Sequence, residues 1–394
     1  MSLPLKGVKI VSIEQFGAGP YGTMFLADLG AEVIKIENPS TGGDPARVGD
    51  HHKLGFADSQ YFQTWNTNKR SVLLDIKSVR GRQDFEDLIR DADAVVNNLR
   101  GDQPKKLGIT YVELSKINPA IVCLHISAYG RDNERAARPG YDFLMQAEAG
   151  LMSLTGDPDR SPARFGPSII DYMTGMTGMT GLLSAIISSR TTGLGCDVDT
   201  SLYEVALHQL GYAGTWYLND GEITGRLARS SHFSVSPVQT FRASDGWFFM
   251  MCMTDKFWTL MAELIGHPEL VADPAYRTLN ERFQNRDQLT ETLDAIFREK
   301  PTKYWIDHLG QALPVGPVYD VAQALDNPFT REIGMIQDVP HPERPDLRLI
   351  ANPLRINALR LPQVVCSALG ADNTALLGKS DSDGESKVKR PRPS

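Results

Sequence analysis

The chain has 394 residues, 41% of them hydrophobic and 23% charged, with a formal net charge of −7 at pH 7. These fractions describe a globular protein with room for one large or two ordinary domains. The acidic balance leaves no electrostatic footprint for nucleic acid or an anionic membrane surface. No apolar run approaches a membrane span, and MSLPLKGVKI has no signal-peptide layout, so a cytoplasmic setting is expected. Cys123, Cys196, Cys252 and Cys366 are scattered without a C-x-x-C pair and read as buried free thiols. The eight histidines include no ligand spacing, so no metal is expected.

Residues 8–13 read as a short buried strand. Gly17-Ala18-Gly19-Pro20-Tyr21-Gly22 follows as a literal G-x-G-x-x-G. Met24, Leu26, Ala27 and Leu29 populate a helix that Gly30 can end. Residues 33–36 form a second strand, closed by Glu37. This is the sequence form of a βαβ unit with a dinucleotide fingerprint, and its literal reading is NAD. Further strands are expected at 71–74, 94–96 and 121–126, with a helical face at Phe85, Leu88 and Ile89. Such alternation means a parallel sheet covered by helices.

Residues 141–155 and 171–190 read as helices, separated by a Gly/Pro/Asp-rich loop. Asp197 to Thr200 leads into a helix whose Ser201 and Glu204 fit a capping box. A different module begins after the loop-like stretch 219–237. Residues 238–243 and 247–253 are strands joined by Ser244-Asp245-Gly246, a hairpin signal. Phe257, Leu260, Met261 and Leu264 then sit at helical spacing, with Gly266 as the stop. Residues 313–318 look like a buried strand. The layout predicts a large domain over 1–224 and a smaller α+β domain over 225–330. Residues 331–378 return to the large domain, and the polar tail 379–394 is expected to be disordered.

Asp171 stands out by context. It follows Pro167-Ser168-Ile169-Ile170 and opens a helix, where the dipole and free backbone N–H groups favour a carboxylate anion. Such an anion can attack a thioester and form a covalent intermediate. An isolated aspartate at that position is otherwise only a cap. Gly175, Gly178 and Gly181 recur at spacing three and suit close helix packing. Lys69, Arg70, Lys77, Arg100, Lys105 and Lys106 lie near strand ends, where an open α/β sheet binds ligands. Each is also readable as a solvated surface charge.

Taken in order, these stretches resemble the class III CoA-transferase family, which includes formyl-CoA transferase and the α-methylacyl-CoA racemases. The matching text is LKGVKIVSIEQFGAGPYGTMFLADLGAEVIKIENP, GGDPAR, NTNKRSVLLDIKS, ADAVVNNLRGDQPKKLGITYVEL, NPAIVCLHISAYG, RPGYDFLMQAEAGLMSLTG and the IIDYMTG helix. FRASDGWFF, LPVGPVYDVAQAL and NPLRI extend it through the second half.

The resemblance implies a large Rossmann-like α/β domain with a parallel sheet, a smaller α+β domain, and an interlocked homodimer. It implies Asp171 as the catalytic nucleophile, with Tyr141 and Gly17 at the substrate. It places coenzyme A contacts on Phe16, Ala18, Leu74, Lys77, Asn98, Leu99 and Lys106. The CoA thioester is then a substrate, the partner is a free carboxylic acid, and no cofactor stays bound. Succinyl-CoA and a small dicarboxylate are the expected pair.

Formyl-CoA transferase has glutamine where Gly17 stands and arginine where Asn38 stands. Its glycine-rich loop is replaced here by residues 229–237. The departures at Gly17 and the loop argue against formate or oxalate as the acid, and Asn38 implies a different hold on the adenine-nucleotide end of CoA. Arg47, His51, His52, Arg229 and His232 lie in loops where a second carboxylate could be met.

The alternatives are a 2-methylacyl-CoA racemase on the same fold and, more remotely, an NAD-dependent dehydrogenase. The racemases carry histidine where Tyr141 stands, and His125 is the nearest substitute base.

Overall fold

The computed structural model describes residues 2–378, and the tail expected to be disordered at 379–394 lies outside them. The chain divides into two compact units. The larger holds the residues up to Ala149, Gly166–Gln209 and the chain from Pro328 onward; the smaller holds Gly150–Phe165 and Leu210–Asn327.

The larger unit is built on six parallel strands: β1 (Lys9–Ile13), β2 (Glu32–Glu37), β3 (Arg70–Leu73), β4 (Ala94–Asn97), β5 (Val122–Ser127) and β6 (Asp197–Ser201). Their spatial order is β3-β2-β1-β4-β5-β6. This is the doubly wound order of a Rossmann-like sheet, and it reverses direction between β1 and β4. A parallel sheet is covered on both faces, so its strands are almost wholly buried; every residue of β4 and β5 is buried. Five strands fall where the Val/Ile-rich runs predict them. The sixth, Asp197–Ser201, lies in text read as a lead-in to a helix.

Helix α1 (Ala18–Asp28) follows β1 directly, and α2 (Val79–Ile89) follows β3, capped by Ser78 Oγ accepting from the Gly81 N–H at 3.0 Å. Phe85, Leu88 and Ile89 of α2 pack with Val11, Ile34, Val72, Val95 and Cys123 in one apolar core. Helix α3 (Asp142–Glu148) precedes the 24-residue α4 (Ile169–Thr192), and α5 (Leu202–His208) follows β6. The small residues of α4 permit its depth. A β-carbon on Gly175 would meet the Ala18 carbonyl at 2.6 Å, and one on Gly22 would meet the Gly175 carbonyl at 2.9 Å. The third glycine of the G-x-G-x-x-G therefore serves helix packing.

The C-terminal segment closes the β3 edge. Asn373 accepts from the Leu73 N–H at 2.8 Å and donates to its carbonyl at 3.1 Å, while Asp372 accepts from the Ser71 N–H at 2.9 Å. Pairing an edge strand in this way removes its open backbone groups.

The smaller unit carries an antiparallel sheet of β7 (Val238–Arg242), β8 (Trp247–Met251) and β9 (Val315–Pro317). Phe241, Phe248, Trp258, Leu293, Phe297 and Trp305 form its core. The expected hairpin is present, with the Ala243 N–H donating to the Gly246 carbonyl at 3.0 Å. Cys123, Cys252 and Cys366 are buried free thiols, whereas Cys196 is exposed, against expectation. No helix among the described residues is long and apolar enough to cross a membrane.

Candidate active site

Two adjoining cavities lie along the carboxyl ends of the strands in the larger unit. The first, about 320 Å³, is lined by Phe16, Gly17 and Ala18 after β1, Asn98 and Leu99 after β4, and Tyr141 and Asp171. The second, about 250 Å³, is lined by residues after β2 and β3, among them Leu74 and Lys77. Gln15, Leu99 and Gln103 belong to both. Nine of the ten residues singled out above thus fall along one trough. Lys106 does not line it: its ammonium pairs with Asp102 at 2.6 Å on the exposed surface. Arg100 and Gln103 do line it, and Gln103 carries no distinguishing signal in its local text.

Asp171 sits in the first turn of α4, half-buried. The helix N–H groups expected to stabilise it are taken by another carboxylate. Asp142 accepts from the N–H groups of Ile170 at 2.5 Å and Asp171 at 2.9 Å, and its other oxygen accepts from Gln146 at 2.6 Å. Nothing among the described residues donates to the Asp171 carboxylate. Burial, and next the negative charge of Asp142, push its pKa up to about 7. Asp171 is therefore a poorly solvated, basic carboxylate facing a cavity.

Gly17 is its immediate neighbour. A β-carbon there would meet Asp171 Oδ2 at 2.1 Å and Cγ at 2.6 Å. Gly19 is tight but less so, since its β-carbon would meet Glu14 Cβ at 3.0 Å and Asn98 Cγ at 3.1 Å. The fingerprint glycines thus make room for Asp171, Asn98 and α4. Tyr141 is 64% exposed, so its ring is not part of the core. Its ring meets Phe16 edge-on, with centroids 6.2 Å apart.

Beneath the trough lies a buried charge network that the sequence reading missed. Lys35 pairs with Asp44 at 2.9 Å, Lys69 with Glu14 at 2.9 Å, and Arg47 with Glu37 at 2.8 Å. Glu14, Glu37 and Asp44 all line the second cavity. Each has a buried cation, so the trough presents no uncompensated acid from this layer to an anionic ligand. Burial pushes Glu14 and Glu37 up, but their cationic partners overcome it and hold both below the usual carboxylate range. Burial outweighs Glu14 at Lys69 and brings that amine down to about 8.

Arg47 is consequently no carboxylate receptor: it is fully buried, bidentate on Glu37, and lies 3.8 Å from the Phe62 ring centroid. Arg229 pairs with Asp294 at 2.5 Å, and His232 bonds Tyr212 at 3.3 Å, both within the smaller unit. His51 and His52 are exposed and, with Asp50, bring three potential metal-ligand atoms within 4.8 Å of one another. His125 is buried with both ring nitrogens engaged, by Asn97 at 2.8 Å and Asp197 at 2.9 Å.

The family model for CoA-transferase family III matches residues 5–373. The chain belongs to CoA-transferase family III. It is 33% identical to an acetyl-CoA:oxalate CoA-transferase of Acetobacter aceti, over 84% of this chain and 85% of that protein. It is 31% identical to a succinyl-CoA:glutarate CoA-transferase of Mus musculus, over 86% of this chain and 77% of that one. A crystal structure of a CAIB/BAIF family protein from Brucella suis superimposes with a TM-score of 0.83 at 30% identity, covering 96% of this chain and 99% of that one. As a family III CoA-transferase the protein is an enzyme that takes a CoA thioester as substrate and needs no resident cofactor. The dinucleotide reading of Gly17 to Gly22 is set aside.

Proposed function

We propose that this CoA-transferase moves CoA from succinyl-CoA to a small dicarboxylic acid through a thioester on Asp171. The observation that carries the reading is the Asp171 carboxylate, with no hydrogen-bond donor among the described residues, opening on a cavity at the strand ends. The relatives named for glutarate and oxalate support a dicarboxylate as the acid.

An Asp171 oxygen attacks the donor thioester carbonyl. The carbon–sulfur bond breaks, CoA leaves as the thiolate, and a mixed anhydride remains. The thiolate then attacks the Asp171 carboxyl carbon and expels the donor acid, leaving an aspartyl-CoA thioester. The acceptor carboxylate attacks that thioester and releases thiolate, and the thiolate takes the acceptor acyl group from the second anhydride. Every intermediate stays activated, so no ATP is consumed. Few donors around Asp171 means little solvation to strip before attack.

In this proposal the trough from Leu74 and Lys77 to Leu99 holds CoA, with Phe16 and Ala18 beside the thioester. Tyr141 presents its hydroxyl to the acyl group. An interlocked homodimer in the cytoplasm completes the proposal. Borohydride or hydroxylamine added during turnover should modify the peptide containing Asp171. Full turnover in Asp171→Ala would end this reading.

A further inference from the structure

The turn between β1 and α1 is held in a way that the reaction alone does not require of it. Phe16 has φ +57°, a left-handed conformation that a bulky residue adopts only when its surroundings impose it. Both peptide groups leading into Phe16 are bonded at each end. Lys35 Nζ donates to the Glu14 carbonyl at 2.9 Å, and the Gln15 N–H donates to Asn98 Oδ1 at 2.9 Å. Asn98 Nδ2 returns a bond to the Gln15 carbonyl at 2.6 Å, and the Phe16 N–H donates to Asp44 Oδ1 at 3.2 Å.

Two groups of side chains make all four bonds. One is Asn98, which spends both ends of its amide on Gln15. The other is the fully buried Lys35–Asp44 pair, whose members sit 2.9 Å apart and grip the Glu14 carbonyl and the Phe16 N–H on either side of Gln15. Asp44 is fixed in turn by the Ala46 N–H, which it accepts at 2.9 Å. Asn98 follows β4 and Gln15 follows β1, so its two bonds cross the place where the strand order reverses. Gly19 leaves the space through which the Asn98 side chain reaches.

We infer that Asn98 and the Lys35–Asp44 pair are positioning residues: they lock the Gln15–Phe16 backbone and so seat Gly17 against Asp171. This rests on Asp171 being the nucleophile. It changes the part given to Asn98, whose side chain is committed to the turn and is not free to hold CoA. A turn that relaxed by about an ångström would misplace the attack without emptying the CoA trough.

The experiment uses the full-length protein and Asn98→Ala, with kinetics, calorimetry of free CoA, and amide hydrogen exchange. The expected result is a kcat lower by about tenfold or more and a CoA Kd within about threefold of the parent. Exchange should quicken at Gln15 and Phe16 while the β1 amides keep their protection. A tenfold weaker CoA Kd with unchanged kcat and exchange would make Asn98 a direct ligand and overturn the inference. An unchanged kcat despite faster exchange would also overturn it, because the turn would then need no clamp. Asp44→Asn keeps an oxygen acceptor for Phe16 but breaks the ion pair, and should reproduce the exchange change at Phe16; intact protection there removes the pair from the clamp. Turnover persisting in Asp171→Ala would instead defeat the nucleophile reading, whatever the exchange data show.

Discussion

Asp171 rests its carboxylate on the α-carbon of Gly17, close enough that no side chain can occupy that side. Alanine at 17 would place its methyl 2.1 Å from Oδ2, far inside van der Waals contact. Gly17 has φ −92° and ψ −81°, on the negative-φ side open to L residues and just beyond the α region, so the side-chain clash is the main obstacle. The carboxylate must rotate instead. Gly17→Ala should fold with a Tm close to that of the parent and lose about tenfold or more in kcat. Steady-state kinetics beside a thermal melt tests this, and activity within twofold of the parent would contradict it.

The acid limb of the pH profile should report Asp171. Burial, followed by the Asp142 charge, raises its pKa to about 7, so it is increasingly protonated and non-nucleophilic below that pH. The neighbouring phenols Tyr21, Tyr61 and Tyr172 are all raised and stay neutral there. kcat/KM should therefore fall about tenfold per pH unit below 7. Asp142→Asn keeps an oxygen to accept the two helix N–H groups but removes the charge, and should move the limb to lower pH. A limb that stays in place would show that Asp142 does not act on Asp171 electrostatically.

The same shift has a stability consequence of definite sign. A carboxyl with a raised folded pKa binds its proton more tightly in the native state than in the unfolded chain. The native state is therefore relatively favoured below the unfolded value of 3.8 and penalised as pH rises through about 7. The penalty is at most on the order of 4 kcal/mol above that pH. Asp171→Asn should melt several degrees above the parent at pH 8, and the gap should shrink toward pH 5. A gap independent of pH would mean that the carboxylate is solvated well enough to carry its charge without cost.

The sequence revealed what apolar pattern dictates and hid what long-range charge pairing builds. Val/Ile runs marked β1 to β5 within a residue or two because both faces of a parallel strand are covered. β6 escaped because Asp197-Val198-Asp199-Thr200-Ser201 is an edge strand with one neighbour, β5, and little apolar demand. Helix α4 begins at Ile169, two residues before the reading placed it, because its first-turn donors are satisfied by Asp142 from far back in the chain. The helix-opening place of Asp171 was legible from its local text. Lys35, inside the strand text VIKIE, reads as an outward polar residue, and only the fold shows Asp44 and the Glu14 carbonyl waiting for it. Arg47 was misread because its partner Glu37, ten residues earlier at the end of β2, meets it only after the chain turns back.

The two lysines matched to CoA should behave differently. Lys77 lines the second cavity, whereas Lys106 is exposed and already paired with Asp102. Reversing charge beside a ligand that carries several phosphate charges costs binding directly. At an exposed site, screening and the loss of a surface pair leave only a small effect. Lys77→Glu should thus weaken CoA binding severalfold more than Lys106→Glu, with both proteins equally stable. Calorimetry at fixed ionic strength decides it, and equal losses would place the phosphates nearer Lys106.

A racemase of this fold needs two acid/base groups at the substrate α-carbon, and the cavity supplies one. Tyr141 stands where the racemases carry histidine, and a phenol is a weaker general base than an imidazole. His125, the other histidine considered, is buried with Asn97 on one nitrogen and Asp197 on the other. Freeing it would break both bonds and leave Asp197 without that partner. Incubation with a 2-methylacyl-CoA in deuterated water, with no acceptor acid present, should leave the α-carbon unlabelled over many turnover times. Tyr141→Phe should lower transferase turnover while keeping CoA affinity, through loss of a hydroxyl at the acyl group. Deuterium entering the α-carbon at a turnover rate would mean that a second base reaches the substrate, and the transfer mechanism through Asp171 would have to yield to proton exchange.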